Sequence, residues 1–270
     1  MAGNAGPCDF DAQNGLSPRA QLLTYEAAAC DCSLPAMPES RPPAPRYDEW
    51  ADWYESYVTA DTRSFTDRAT EALIRVLGPG TGPALDLACG TGIFASALRQ
   101  LGWTPVGLDL SMRQLQYARG RMPVVAADAV VPPVRPSVLA AVAAVMCHTD
   151  IDDYAVACRA ASQALKPGGV LAHVGVHPCY VGAFADRSDP DRIRILPGYW
   201  RTERRFDAWS SSGVRARVGA THLPLSNLLN AFIGAGLVIE QVIELGSPVP
   251  SMLAVRCIRP RCLRPAQTSK

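Results

Sequence analysis

The chain has no C-x-x-C pair among its nine cysteines, so they do not make a zinc framework. Cys30-x-Cys32 has no matching His or Cys pair nearby, and no metal is expected. The odd number of cysteines, with no recognisable signal peptide, reads as free thiols in a reducing cytoplasm. No apolar run reaches the roughly 18–20 residues that cross a bilayer; the longest, Val138 to Cys147, reads as a buried strand. Charge of one sign is lacking too: 26 Lys and Arg against 25 Asp and Glu leave a net charge of +1. With no strong field, neither nucleic acid nor an anionic membrane is the expected partner. The clusters Arg201, Arg204, Arg205 and Arg256, Arg259, Arg261, Arg264 read as solvated surface.

The 270 residues suffice for one well-buried domain with extensions. Residues 1–46 are rich in Ala and Pro and are expected to be a disordered extension. Ser17 to Ala29 offers a short helix with little apolar face, and Ser33 to Arg46 is too proline-dense for helix or sheet. From 47 to 260 the pattern is that of a domain, followed by a tail at 261–270. Tyr47, Trp50, Trp53, Tyr54 and Tyr57 recur at helical spacing, and Phe65 and Ala69 to Leu77 continue it. Strands are predicted at 84–88, 105–109, 122–127, 138–147 and 169–175, with helices at 92–102, 111–120 and 152–165 between them. A helix at 224–236 precedes strands at 237–244 and 252–258, joined through Gly246 to Pro250. This alternation predicts an α/β fold with a doubly wound, mostly parallel sheet.

The most informative stretch is Ala84-Leu-Asp-Leu-Ala-Cys-Gly-Thr-Gly92. It reads as a buried strand carrying Asp86 near its end, a tight turn through Gly90 and Gly92, and a helix start. Without Cβ atoms at the turn a ligand can lie on the backbone at the helix N-terminus. A carboxylate before the glycines repels a pyrophosphate but holds the cationic end of a zwitterion. Gly90-Thr-Gly92-Ile-Phe-Ala95 also satisfies a relaxed dinucleotide fingerprint, with Asp109 about 20 residues on, so an NAD(P)-dependent oxidoreductase stands as an alternative. Asp109 ends the second strand, where it can accept hydrogen bonds from ribose hydroxyls of either ligand.

Taken in order, DLACGTG, GLDLS, ADA and LKPGG resemble the class I S-adenosylmethionine (SAM) methyltransferases across residues 46 to 258. The resemblance implies SAM as cofactor and a Rossmann-like seven-stranded sheet whose last strand is antiparallel. It implies a cofactor pocket of Asp86, Ala88, Gly90 and Gly92, then Asp109 with Leu110. Met112 would lie against the adenine, although core filling is the alternative. Asp128, between Ala127 and Ala129, would meet the adenine amine or else simply form a turn before Pro132-Pro133. Met146 would face the methionine end of the cofactor. Helices ahead of the first motif lie over the pocket in related enzymes, so Tyr54, with Tyr47 and Tyr57, is a candidate contact from a lid. LKPGG is expected to end the helix before it, with Gly168 or Gly169 in the left-handed position.

The segment 177–222 is expected to wall the acceptor site. Its His177, Tyr180, Phe184, Tyr199, Trp200, Arg201, Phe206, Trp209 and His222 suit a small apolar or aromatic molecule. Methyl transfer is an in-line displacement in which alignment supplies much of the acceleration. A hydroxyl acceptor also needs a base, and His148, His177 and His222 are the candidates, His222 first because it resembles a recurrent His in small-molecule methyltransferases. His148 can equally be a cofactor contact or a structural residue, and an amine acceptor can do without a base. The predicted activity is methyl transfer to oxygen or nitrogen of a small molecule; a SAM-binding protein that transfers nothing is the second alternative. Replacing Asp86 or Asp109 by alanine is expected to weaken SAM binding by at least about 1.5–3 kcal/mol, measured by calorimetric titration; unchanged affinity in both variants removes the assignment.

Overall fold

A computed structural model describes residues 45–60, 64–189, 192–206 and 213–261. Residues 1–44 of the expected extension, nearly all of the expected tail and Trp209 lie outside these. The aromatic stripe forms a single 3-10 turn, Asp48–Trp50, and α1 (Ala51–Thr59), followed by α2 (Ser64–Leu77). Next come β1 (Gly82–Leu87), α3 (Ala95–Gln100), β2 (Trp103–Asp109), α4 (Met112–Ala118), β3 (Val124–Ala126), β4 (Leu139–Val145), α5 (Tyr154–Ala164) and β5 (Leu165–Val176). The segment expected as acceptor wall folds as a hairpin of β6 (Ala185–Asp189) and β7 (Arg192–Ile195), then β8 (Arg204–Arg205), α6 (Val214–Val218) and β9 (Ala220–Thr221). The domain closes with α7 (Leu225–Gly234), β10 (Val238–Leu245) and β11 (Met252–Ile258).

Seven strands make one sheet in the order β10-β11-β5-β4-β1-β2-β3. β11 runs antiparallel to both of its neighbours, while β1 to β5 pair in parallel. The last strand is thus the antiparallel one, inserted between β5 and β10. Apolar residues on both faces of the strands explain the double cover. Leu85, Leu87, Val142 and Ala144 pack towards α5 and α7. Their alternates Ala84, Ala141, Ala143 and Val145 pack towards α2 and α3. Among the described residues no helix is long and apolar enough to cross a membrane.

Three expectations are corrected. The helix expected from 92 begins only at Ala95, because the glycine turn runs on through Gly92, whose N–H bonds the carbonyl of Cys89. Helix α5 does not end on a left-handed glycine: Leu165 is already extended at its C-terminus. Residues preceding proline avoid the helical region, so Lys166-Pro167 stops the helix first. Gly168, at φ +83°, instead shapes a bulge in β5, where Gly168 and Gly169 exchange backbone hydrogen bonds with Arg259.

Nor are the arginine clusters simply solvated. Arg256 donates to the carbonyls of Val76 at 2.9 Å and Leu77 at 2.6 Å, satisfying the end of α2, and pairs with Glu240. Arg259 does the same for α5 through the carbonyls of Gln163 and Leu165. Arg204 bonds the Val218 carbonyl and the Thr221 hydroxyl, and approaches Asp150 at 3.6 Å. Arg256→Met keeps the stem and removes these bonds; it should lower stability by about 1–3 kcal/mol, read from urea unfolding.

Candidate active site

The C-terminal ends of the parallel neighbours β1, β2 and β4 lie at one edge of the sheet, and the turn after β1 follows there. Ala88, Gly90 and Gly92 all take positive φ, at 52°, 54° and 77°. A Cβ on Gly92 would be strained at that φ and would crowd α4, lying 3.2 Å from the Cα of Ala118. Met146, at the exit of β4, is also left-handed at φ 58°. Such a conformation costs a residue with a Cβ about 1–2 kcal/mol, and strain of this kind gathers at functional sites.

Asp86 is 1% exposed, and its Oδ2 has no hydrogen-bond partner. Burial, with the charge of Asp109 added, pushes its carboxyl up to about 7. Asp109 is better supported. Its Oδ2 accepts from the Gly90 N–H and its Oδ1 from the Ser111 N–H, both at 2.8 Å, yet burial still raises it. Each oxygen keeps a second lone pair for a hydroxyl. Ser111 caps α4, its Oγ accepting from the Gln114 N–H at 3.1 Å. A third acid, missed in the sequence, joins these: Asp150, after β4, is raised to about 6 by burial, partly offset by Arg204. Carboxylates this poorly compensated suit a ligand that brings its own positive charge.

The remaining predicted cofactor residues stand around the same turn. Met112 is 48% exposed at the start of α4, so it does not fill the core. Asp128 spends Oδ1 on the Val130 N–H at 3.0 Å, leaving Oδ2 without that bond. Leu110 and Ala127 are half-buried and Ala129 is buried, but the Ala127 N–H is already given to the Asp109 carbonyl.

Helix α1 lies across the turn, with the Tyr54 ring 3.8 Å from where a Gly90 Cβ would be. Tyr54 and Tyr47 are both raised by burial and by the charge of Asp150. Polar contacts hold this segment at intervals. Arg46 pairs with Asp152, Asp48 accepts from the Ser111 hydroxyl at 2.6 Å, and Asp52 accepts from Tyr117 at 2.8 Å. Arg121 forks between Glu55 and the Thr91 carbonyl, tying the helix to the glycine turn itself. Glu55 and Arg121 gave no signal in the sequence because their pairing spans 66 residues.

The three candidate bases differ. His177 has both nitrogens engaged: Nδ1 accepts from the Cys179 N–H at 3.2 Å and Nε2 stands 2.7 Å from Glu244. His222 donates Nε2–H to the Tyr199 carbonyl at 2.8 Å, which leaves Nδ1 with its lone pair; burial lowers its basicity. His148 is buried, has no hydrogen-bond partner at Nδ1, and is lowered to about 4 by burial and by His222. Cys147 beside it is inert, since burial raises its thiol far above the usual range. Of the acceptor-wall aromatics, Phe184 is buried against His222, Tyr199 and Tyr180 are half-buried, and Trp200, at 77% exposed, and Phe206 face solvent, as does Arg201.

Residues 85–173 match the methyltransferase domain family. A curated relative from Streptomyces venezuelae, dTDP-3-amino-3,4,6-trideoxy-alpha-D-glucopyranose N,N-dimethyltransferase, is 24% identical over 175 residues, covering 63% of this chain and 66% of the relative. The chain thus spans just under two thirds of that relative's length. Among solved structures, an S-adenosylmethionine dependent methyltransferase from Mesorhizobium loti is similar at TM-score 0.56 and 23% identity, covering 71% of this chain and 96% of that one. A possible histamine N-methyltransferase from Thermotoga maritima gives TM-score 0.57 at 19% identity, covering 79% and 98%. The dinucleotide alternative falls with these matches and with the unpartnered carboxylate ahead of the glycines. Residues 85–173 thus match a methyltransferase domain, and they sit within the fold of S-adenosylmethionine-dependent methyltransferases.

Proposed function

We propose that this chain transfers the methyl group of SAM to a nitrogen of a small molecule held between the lid helix and the segment 177–222. The observation that carries the donor half is the partnerless, buried Oδ2 of Asp86, which fits the ammonium of the methionine moiety. Asp109 takes the ribose hydroxyls, and Met112, Leu110 and the stretch from Ala127 to Ala129 flank the adenine. The backbone of Ala88, Gly90 and Gly92 lies under the donor, Tyr54 covers it, and Met146 borders its sulfonium end. SAM brings an electrophilic methyl group; the protein aligns the acceptor with it and excludes water.

Nitrogen is favoured over oxygen by the histidines. Both His148 and His222 are made less basic by burial, which suits neutral hydrogen-bond partners better than bases for a hydroxyl. A neutral amine needs only orientation. The Streptomyces venezuelae relative is an N,N-dimethyltransferase and the Thermotoga maritima protein a possible histamine N-methyltransferase, which supports the same choice.

Two measurements test this reading. Methyl transfer from labelled SAM to a panel of amines, phenols and alcohols should label amines; labelling confined to hydroxyl compounds overturns the nitrogen assignment, and His222→Asn should then cost at least about 100-fold as loss of a general base. SAM affinity should also depend on pH. In the free protein Asp86 holds its proton up to about pH 7, whereas the ammonium requires the carboxylate. Binding therefore releases a proton below that pH, and affinity should rise from pH 6 to about 7.5. Calorimetry in buffers of different ionisation enthalpy reads the released proton, which should be absent in Asp86→Asn.

A further inference from the structure

A cavity of about 640 Å³, open to solvent, lies where α3 and α4 end and β3 begins. This is the edge of the sheet away from the C-terminal ends of its parallel strands. Three of the lining residues are arginines, Arg99, Arg119 and Arg121, and none is acidic. Met122, Pro123 and Val124 supply an apolar wall.

The three guanidiniums are unequally satisfied. Arg121 donates to Glu55 of α1 from both terminal nitrogens, at 3.0 and 2.5 Å, and to the Thr91 carbonyl at 2.6 Å. Arg99 gives one N–H to the Arg121 carbonyl. Among the described residues neither Arg99 nor Arg119 pairs with a carboxylate, and the Arg119 side chain makes no hydrogen bond. Each guanidinium offers five N–H donors, so most of the donors in this cavity are unspent. Like charges gathered in one concave surface repel each other and attract a counter-ion.

We propose that this cavity binds a small phosphate-bearing molecule, whose oxygens take the unspent donors of Arg99 and Arg119 and share Arg121 with Glu55. Two unpaired cations match the two negative charges that one phosphate group carries near neutral pH. A carboxylate brings a single charge and suits a single guanidinium. The cavity is larger than a phosphate and falls within the size range of small-molecule sites, so the apolar wall is left for the rest of the molecule. A nucleic acid fits less well, because the whole chain carries a net charge of only +1. Glu55 is the anion that the fold itself offers to this cluster, and it competes with the ligand for Arg121.

The test titrates phenyl phosphate into the full chain and follows backbone amide signals in 15N–1H spectra. The signals of Arg119 to Met122 and of Val124 should shift and saturate, and sodium chloride at equal ionic strength should leave them in place. Arg99→Gln and Arg119→Gln should each weaken the binding about 3- to 10-fold. Both side chains are exposed, and unshifted signals elsewhere report that the variants keep the fold. Glu55→Gln should tighten the binding by a similar factor, since the competing carboxylate is gone. Shifts that chloride reproduces, shifts centred on Gly90 and Gly92 instead, or an affinity unchanged in both arginine variants overturn the proposal. A short single-stranded oligonucleotide that binds more tightly than phenyl phosphate overturns the choice of a small molecule. None of these readouts needs methyl transfer or SAM, so the outcome is independent of the function proposed above.

Discussion

A buried carboxyl without a hydrogen-bond partner, at the C-terminal edge of the sheet, is the constraint around which the site is arranged. Asp86 ends a strand buried on both faces, has no counter-ion beside it, and is pushed up to about 7 by that isolation. Asp109 and Asp150 deepen the same potential from the neighbouring strands. A soluble fold avoids such an arrangement unless a ligand completes it, since burying a charge without a partner is costly. The glycine turn provides the complementary feature, a stretch of backbone that a nucleoside can approach without meeting side chains. The proposed recognition of a sulfonium amino acid joined to a nucleoside rests on these two features together.

The segment ahead of the first strand is the second element of the site. It is bonded to the loop after β4 through Arg46, to the start of α4 through Asp48, and to the glycine turn through Arg121. These contacts are partly exposed, so each contributes modestly. Their value is geometric, because they place Tyr54 over the turn and Tyr47 beside Asp150.

Much of the frame was legible in the sequence because short-range patterns encode it. The run around Asp86 announced a buried strand and a turn. The order of apolar segments announced a parallel sheet, and the hairpin between residues 246 and 250 announced the antiparallel pair at its end. What stayed hidden depended on long-range contacts. Arg256 and Arg259 looked like a solvated tail, yet they satisfy helix ends far away in the chain. Arg204 looked like surface and proved to bridge the segment 177–222 to the loop after β4. His177 was a plausible base until Cys179 and Glu244 were seen to occupy both of its nitrogens. His173 carried no signal, because nothing in an apolar strand announces that its ring meets the hydroxyl of Tyr154.

The fork of Arg121 has a kinetic corollary. The same guanidinium grips the covering helix and the carbonyl of Thr91, so a nucleoside lying on that turn sits inside the grip. With the nucleoside placed as proposed, lifting the covering helix from the turn means releasing the fork. One arginine thus ties the position of the cover to the backbone beneath it.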